Sequence, residues 1–451
     1  MSGWFRSARF VVALLALCLI SCASHSDKTK PIRTALDAAQ PRQALAILND
    51  KLEVDSEKEI PDDPGGDNAL YLLDRSMILQ ALGQYAFASR DLELSDKQIE
   101  VLDLSRGAGH ELGKYLFSDD AGPYKAPAYE KLLINTMGMV NYLARGDLNG
   151  ARIEARRLTV MQKYLSESEG PGSGMIGPGS YLAGFAFEKS GKPDEALRFY
   201  DEALQTGSYA SLAGPVRRLA ERSGYRTPRI RALLEGAPAP AEGAPAAASD
   251  EGEILVVVNF GRVPPKVAKR VPIGLALTYA SGALSPTDHA RANALAAQGL
   301  VTWVNFPELG RGRGEYDAPG FALDGKWMPI EGVLAVDREA KRAWEDAKGT
   351  VVASAITRMV ARVVAGEAVR RSTDDNVIGL LLSLGTQATL TAMDTPDTRS
   401  WETLPARIAI GRVTVKPGRH TVDLVARGQR LRKTVDVAPN GFAVANLTVL
   451  R

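Results

Sequence analysis

Residues 181–205 read YLAGFAFEKSGKPDEALRFYDEALQ, and the spacing predicts two helices joined by a tight break. Gly191 can take the left-handed conformation that ends the first helix, and Pro193 stands where the second helix has no amide to lose. Ala183 and Gly184 before the break, and Ala196 and Ala203 after it, are small enough to let the helices approach closely. Phe187 and Tyr200 can fill the space between them. The same break, followed five residues later by alanine, occurs four times: Ala39 with Ala44, Gly83 with Ala88, Gly146 with Ala151, and Gly191 with Ala196. In the third unit Asp147 is an N-cap candidate for the helix carrying Ala151, Ala155 and Leu158. From about residue 32 to 235, apolar residues recur at three- and four-residue spacing, so this region is expected to be helical.

These units resemble the tetratricopeptide repeat, a helical hairpin of about 34 residues in which small residues set the interhelical distance. The resemblance implies a stack whose first helices line an extended groove, with Leu133, Thr136 and Val140 turned towards it. Every interval between the four alanines exceeds one repeat, so extra segments must intervene. Two are expected, at 104–127 and at the glycine-rich run 170–179. Residues 208–234 would close the stack.

Residues 236–252, GAPAPAEGAPAAASDEG, cannot bury enough apolar surface to fold and read as an interdomain linker. Beyond it the periodicity changes. Strand candidates lie at 253–260, 271–280, 301–306 and 333–336, a long helix at 337–370, and a buried apolar segment at 377–390. Clean alternation at 406–415, 419–426, 430–437 and 442–450, broken by Pro417-Gly418, Arg427-Gly428-Gln429 and Pro439-Asn440-Gly441, predicts a four-stranded antiparallel sheet. The expected organisation is multidomain: a helical repeat domain over 32–235, an α+β domain over 253–396, and a β module over 397–451 that stands beside it or within it.

The N-terminus carries an address. Arg6 and Arg9 precede an apolar run over 10–20 and then Ser21, the order of a secretory signal spanning 1–21. The run is too short to remain as a membrane span. Leu19-Ile20-Ser21-Cys22 resembles the lipobox of bacterial lipoproteins. That resemblance implies cleavage before Cys22, acylation of its thiol and amine, and attachment to a membrane through lipid. Ala23 in place of aspartate implies the outer membrane, facing the periplasm. Residues 22–31 are polar and read as a tether. Cys18 would leave with the signal, so no disulfide and no thiol chemistry are expected from a chain with two cysteines.

Lys and Arg total 55 against 53 Asp and Glu; without Arg6 and Arg9 the signs balance, leaving no general field for nucleic acid. Motifs for chemistry are incomplete. His110-Glu111 lacks the second histidine of a zincin, and the run at 170–179 lacks the lysine of a phosphate loop. No metal, cofactor or small-molecule substrate is expected. Gly310-Arg311-Gly312-Arg313-Gly314 reads as a solvated turn beside Glu308, Glu315 and Asp317. The helix bearing Arg358, Arg362, Arg370 and Arg371 has an apolar side suited to a membrane surface or, preferably, to its own strands.

The densest group of specific side chains is Asp397-Thr398-Arg399-Ser400-Trp401-Glu402-Thr403-Leu404-Pro405. With residues 124–131, YKAPAYEK, and 151–157, ARIEARR, it resembles a family of uncharacterised bacterial lipoproteins with helical repeats ahead of a C-terminal β region. The resemblance implies no activity. Arg399 is expected to pair with Asp397 and stack on Trp401, a structural lock in preference to a ligand site. The expected function is a non-enzymatic, lipid-anchored adaptor that joins proteins in envelope assembly. The alternatives are a regulator that reaches through the periplasm to a cell-wall synthase, and an enzyme acting on wall glycan or lipid.

Overall fold

The computed structural model describes residues 23–104, 124, 126–168, 177–236, 250–280, 282–297, 303–312, 316–371 and 395–451. Among the described residues eight helices come first: α1 (His25–Asp37), α2 (Pro41–Lys51), α3 (Asp67–Ala81), α4 (Tyr85–Leu104), α5 (Ala128–Ala144), α6 (Leu148–Ser168), α7 (Gly177–Lys189) and α8 (Pro193–Ala203). They pair in sequence order, and α9 (Ala213–Glu221) and α10 (Pro228–Gly236) close the row.

Four turns of one chemistry make the pairs. Ala39, Gly83, Gly146 and Gly191 all have positive φ, between 57 and 74°. In the second turn the Gly83 amide donates to the Gln80 carbonyl at 3.0 Å and the Gln84 amide to that of Leu79 at 2.8 Å; the other three turns repeat this pattern. This is the Schellman closure that satisfies the last carbonyls of a helix. Ala44, Ala88, Ala151 and Ala196 are each completely buried. Asp147 caps α6 through the Gly150 amide at 2.9 Å. The helices of a pair approach closely at Gly150, where a Cβ would lie 2.2 Å from the Tyr142 ring, and at Gly184, where it would lie 2.4 Å from ring carbons of Tyr200.

Helix formation begins earlier than the polar composition of 22–31 suggests. Ser24 and Asp27 form a capping box, and His25, Ser26 and Thr29 are buried, so the described part of the expected tether is a docked helix. Composition failed because Ser26 and Thr29 find hydrogen-bond partners within the fold and the His25 ring stacks on Tyr71.

The C-terminal half contains β1 (Gly252–Phe260), β2 (Lys266–Pro272), α11 (Ile273–Tyr279), α12 (Pro286–Ala297), β3 (Trp303–Leu309), β4 (Gly320–Leu323), β5 (Lys326–Met328), β6 (Glu331–Ala335), α13 (Val336–Arg371), β7 (Arg407–Val415), β8 (Gly418–Ala426), β9 (Gln429–Val437) and β10 (Phe442–Val449). The segment expected as a strand at 271–280 is the end of β2 followed by α11. The last four strands do not form one sheet. Strands β7 and β10 flank β1 in a sheet ordered β10-β1-β7-β6, whereas β8 and β9 join a second sheet ordered β5-β4-β8-β9. Strand β10 runs parallel to β1, with Val256 opposite Ala445, and β7 runs antiparallel to it. Only the turn at Arg427-Gly428 links hydrogen-bonded neighbours; the turns at 416–417 and 438–441 carry the chain from one sheet to the other.

The layers follow from alternation along β1. Leu255 and Val257 face a core shared with the helices, together with Ile408, Ile410 and Val444. Ile254, Val256, Val258 and Phe260 face the second sheet, meeting Val422, Leu424, Val435 and Val437. Helices, first sheet and second sheet therefore stack as three layers. The region 237–249, which covers most of the expected linker, lies outside the described residues, but the parts on either side of it share one core. Helix α13 turns its apolar side onto β3, α11 and α12, and both Arg358 and Arg362 are buried. Its packing supports the preferred reading of a cover for its own strands.

The substitutions Gly184→Ala and Gly191→Ala separate contact from conformation. The first should cost roughly 1–3 kcal/mol through overpacking against Tyr200. The second, with no atom near the added Cβ, should cost roughly 1–2 kcal/mol through left-handed strain alone. Urea midpoints measure both.

Candidate functional site

Residues 397–404 lie between the first sheet and three helices, and each helix contributes polar side chains that hold the segment. Helix α3 reads ALYLLDRSMILQA over 69–81, an apolar run interrupted by Asp74, Arg75 and Gln80. Asp74 Oδ1 accepts the Thr403 amide and the Thr403 hydroxyl, each at 2.9 Å. From α1, Arg33 donates to Glu402 Oε2 at 2.5 Å, and the Ser26 amide donates to Thr398 Oγ1 at 3.0 Å. From α5, Glu130 Oε1 accepts the Trp401 amide at 3.2 Å, while its Oε2 accepts the Tyr124 hydroxyl.

Asp397 and Arg399 pair as expected, through Nε and Nη2 at 2.8 Å each. The aromatic face under the Arg399 guanidinium is that of Tyr124, at 5.9 Å, and not the expected Trp401. Trp401 is almost wholly enclosed and contributes its indole to the shared core. A few residues away a buried amide ladder crosses the same interface. Gln80 donates to Asn141 at 2.9 Å and accepts from Asn259 at 2.9 Å and Thr448 at 2.8 Å.

Burial dominates the electrostatics. It pushes the Asp74 carboxyl up to about 8, helped by the nearby negative charge of Glu402 and opposed by the Thr403 hydrogen bonds. Burial also raises Glu130 and Glu402, against the Tyr124 hydroxyl and the Arg33 guanidinium respectively. It lowers His25, stacked at 5.5 Å on Tyr71, to about 4, so the ring is neutral at pH 7.

A second polar joint fastens α7 and α8 to the same sheet. Arg412 of β7 meets Glu188 at 2.7 Å, Glu253 at 2.5 Å and the Tyr200 hydroxyl at 3.0 Å. Burial works against the Glu253 charge, yet Arg412 and Lys189 outweigh it and hold the carboxyl down at about 2.

Of the expected site residues, Asp397, Arg399 and Trp401 share this seat, while Gly83, Ala88, Gly146, Ala151, Gly184, Gly191, Ala196, Tyr200 and Ala203 lie in the helix pairs. Cys22, the His110-Glu111 pair, Arg313 and the segment 377–390 lie outside the described residues. The expected groove is not open. Leu133, Thr136 and Val140 are buried, because α4, α6, α7 and β10 cover α5. Asp74 and Arg33 were missed by sequence reasoning, although Asp74 beside Arg75 inside the apolar run of α3 was a visible sign of buried partners. Among the described residues, no group of three His, Cys, Asp or Glu side chains is placed to hold a metal. The arrangement supports mechanical locking of the helices onto the sheet.

Two variants test this. Asp74 titrates near its ordinary value of 3.8 when unfolded and near 8 when folded. The native state therefore binds its proton more tightly, and the contribution of Asp74 to stability falls as pH rises from about 4 to 8. Asp74→Asn, which mimics the neutral acid and still accepts from Thr403, should flatten that fall and be the more stable form at pH 9. Arg412→Leu should cost up to about 3–5 kcal/mol, because Glu188 and Glu253 lose their shared buried counter-charge and keep only the more exposed Lys189 and Arg218. Denaturant titrations at several pH values check both.

No protein-family model matches the chain, and no curated protein or solved structure matches it either.

Proposed function

We propose that this protein is a lipid-anchored, periplasm-facing scaffold of the outer membrane that associates with other envelope proteins and carries out no catalysis. Its address rests on Arg6, Arg9, the apolar run and the lipobox ending at Cys22. No helix among the described residues is long and apolar enough to cross a membrane. We read the helix pairs as tetratricopeptide-like, on the strength of their four matching turns and buried alanines. The face expected as a groove is covered by neighbouring helices and β10, so association must use another face.

The observation that carries the association reading is the outer side of α6. Ile153, Val160 and Tyr164, spaced to fall on one stripe of the helix, are 52%, 68% and 43% exposed. Such a stripe, interrupted by Arg156 and Arg157, offers apolar side chains that another protein can cover. The reading in which a C-terminal domain swings out to a distant synthase has less support, because helices and sheet share one core.

Two expected outcomes follow. Cys22→Ala should move the protein from the membrane to the soluble fraction. A photoreactive side chain in place of Tyr164 should cross-link one envelope protein in cells. Adding Ile153→Glu and Val160→Glu should abolish that cross-link while changing the unfolding free energy by no more than about 0.5 kcal/mol. Absence of a cross-link, or one indifferent to the two glutamates, contradicts the association reading.

A further inference from the structure

We infer that the folded body is held directly against the bilayer by a leash of at most two residues, with the start of α1 at headgroup level. The inference rests on acylation of Cys22 and adds what the docked helix implies about position.

Ordered chain begins almost at the anchor. The Ser24 amide donates to Asp27 Oδ2 at 3.1 Å and the Ser24 hydroxyl to the same oxygen at 2.6 Å, so the capping box starts the helix two residues after Cys22. Two residues of extended chain span at most about 7 Å. An unstructured run of the length first expected would have allowed the body to stand well away from the lipid.

The helix is a poor candidate for peeling off to lengthen the leash. His25, Ser26, Thr29, Ile32, Ala35 and Leu36 are buried. The Ser26 amide is bound to Thr398, and Arg33 is the partner of the nearly inaccessible Glu402. Undocking would strand that carboxylate and expose the apolar side of α1. The exposed charge at the start of α1 is mixed: Asp27 accompanies Lys28 and Lys30, and Lys28 lies 3.9 Å from Asp67. Covalent reach therefore sets the position, not attraction of a basic patch. A protein seated this way meets partners that are themselves in or on the membrane.

The test uses the full-length acylated protein in vesicles of phosphatidylethanolamine and phosphatidylglycerol, carrying a fluorophore at the exposed site Lys30→Cys. Spin-labelled headgroups serve as the quencher. A matched protein carries twenty Gly/Ser residues inserted between Cys22 and Ala23, a coil with a typical span of about 25 Å. Mass spectrometry first reports whether Cys22 is acylated. With acylation present, strong quenching in the parent and at least a several-fold loss in the insertion variant support the inference. Weak quenching in both overturns it while leaving the anchor intact, and equal strong quenching in both overturns the role of the leash. An unmodified Cys22 overturns the anchor itself.

Discussion

Strand β1 is buried along all nine of its residues, and a strand in that position requires cover on both faces. Its even-numbered residues meet the second sheet, and Leu255 and Val257 meet the helices. The helical layer is thereby committed to the protein's own sheet. Each further feature answers to that commitment: the parallel partner β10 supplied from the chain's end, the enclosed face of α5, and the polar joints that cross the interface.

Those joints decide how the layers register. Apolar contact alone is tolerant of sliding, whereas Asp74 with Thr403, Arg33 with Glu402, and Arg412 with Glu188 and Glu253 each leave a buried group without its partner if the layers shift. Raised carboxyl groups at Asp74, Glu130 and Glu402 reflect the cost of placing acids there. The segment 397–404 acts as the strap through which α1, α3 and α5 grip the start of β7.

What was legible in the sequence was local. Gly83, Gly146 and Gly191 announced left-handed turns because a glycine before a new apolar period has few other uses, and Arg427-Gly428 announced a hairpin for the same reason. Asp397 and Arg399, two residues apart, could be paired by inspection. The parallel match of β1 with β10 could not, because nothing near either strand encodes a partner almost two hundred positions away. Ser26 and Thr29 looked like tether residues because their polarity was visible and their distant partners were not. The small, Pro and acidic residues of 236–252 read as a linker, but that composition left open whether its neighbours would dock, and its two ends belong to α10 and β1. The groove was drawn from the repeat geometry, and β10, which helps the neighbouring helices to cover it, belongs to a region whose period gave no sign of its destination.

The central claim is that helices and sheets are one body organised around β1. Native-state hydrogen exchange of individual amides tests it most directly. The account predicts that amides of β1, α3 and α5 exchange only through global unfolding, with the same free energy and the same dependence on denaturant. If the β1 and β10 amides instead open together at low denaturant while α3 and α5 stay protected, the shared core is contradicted.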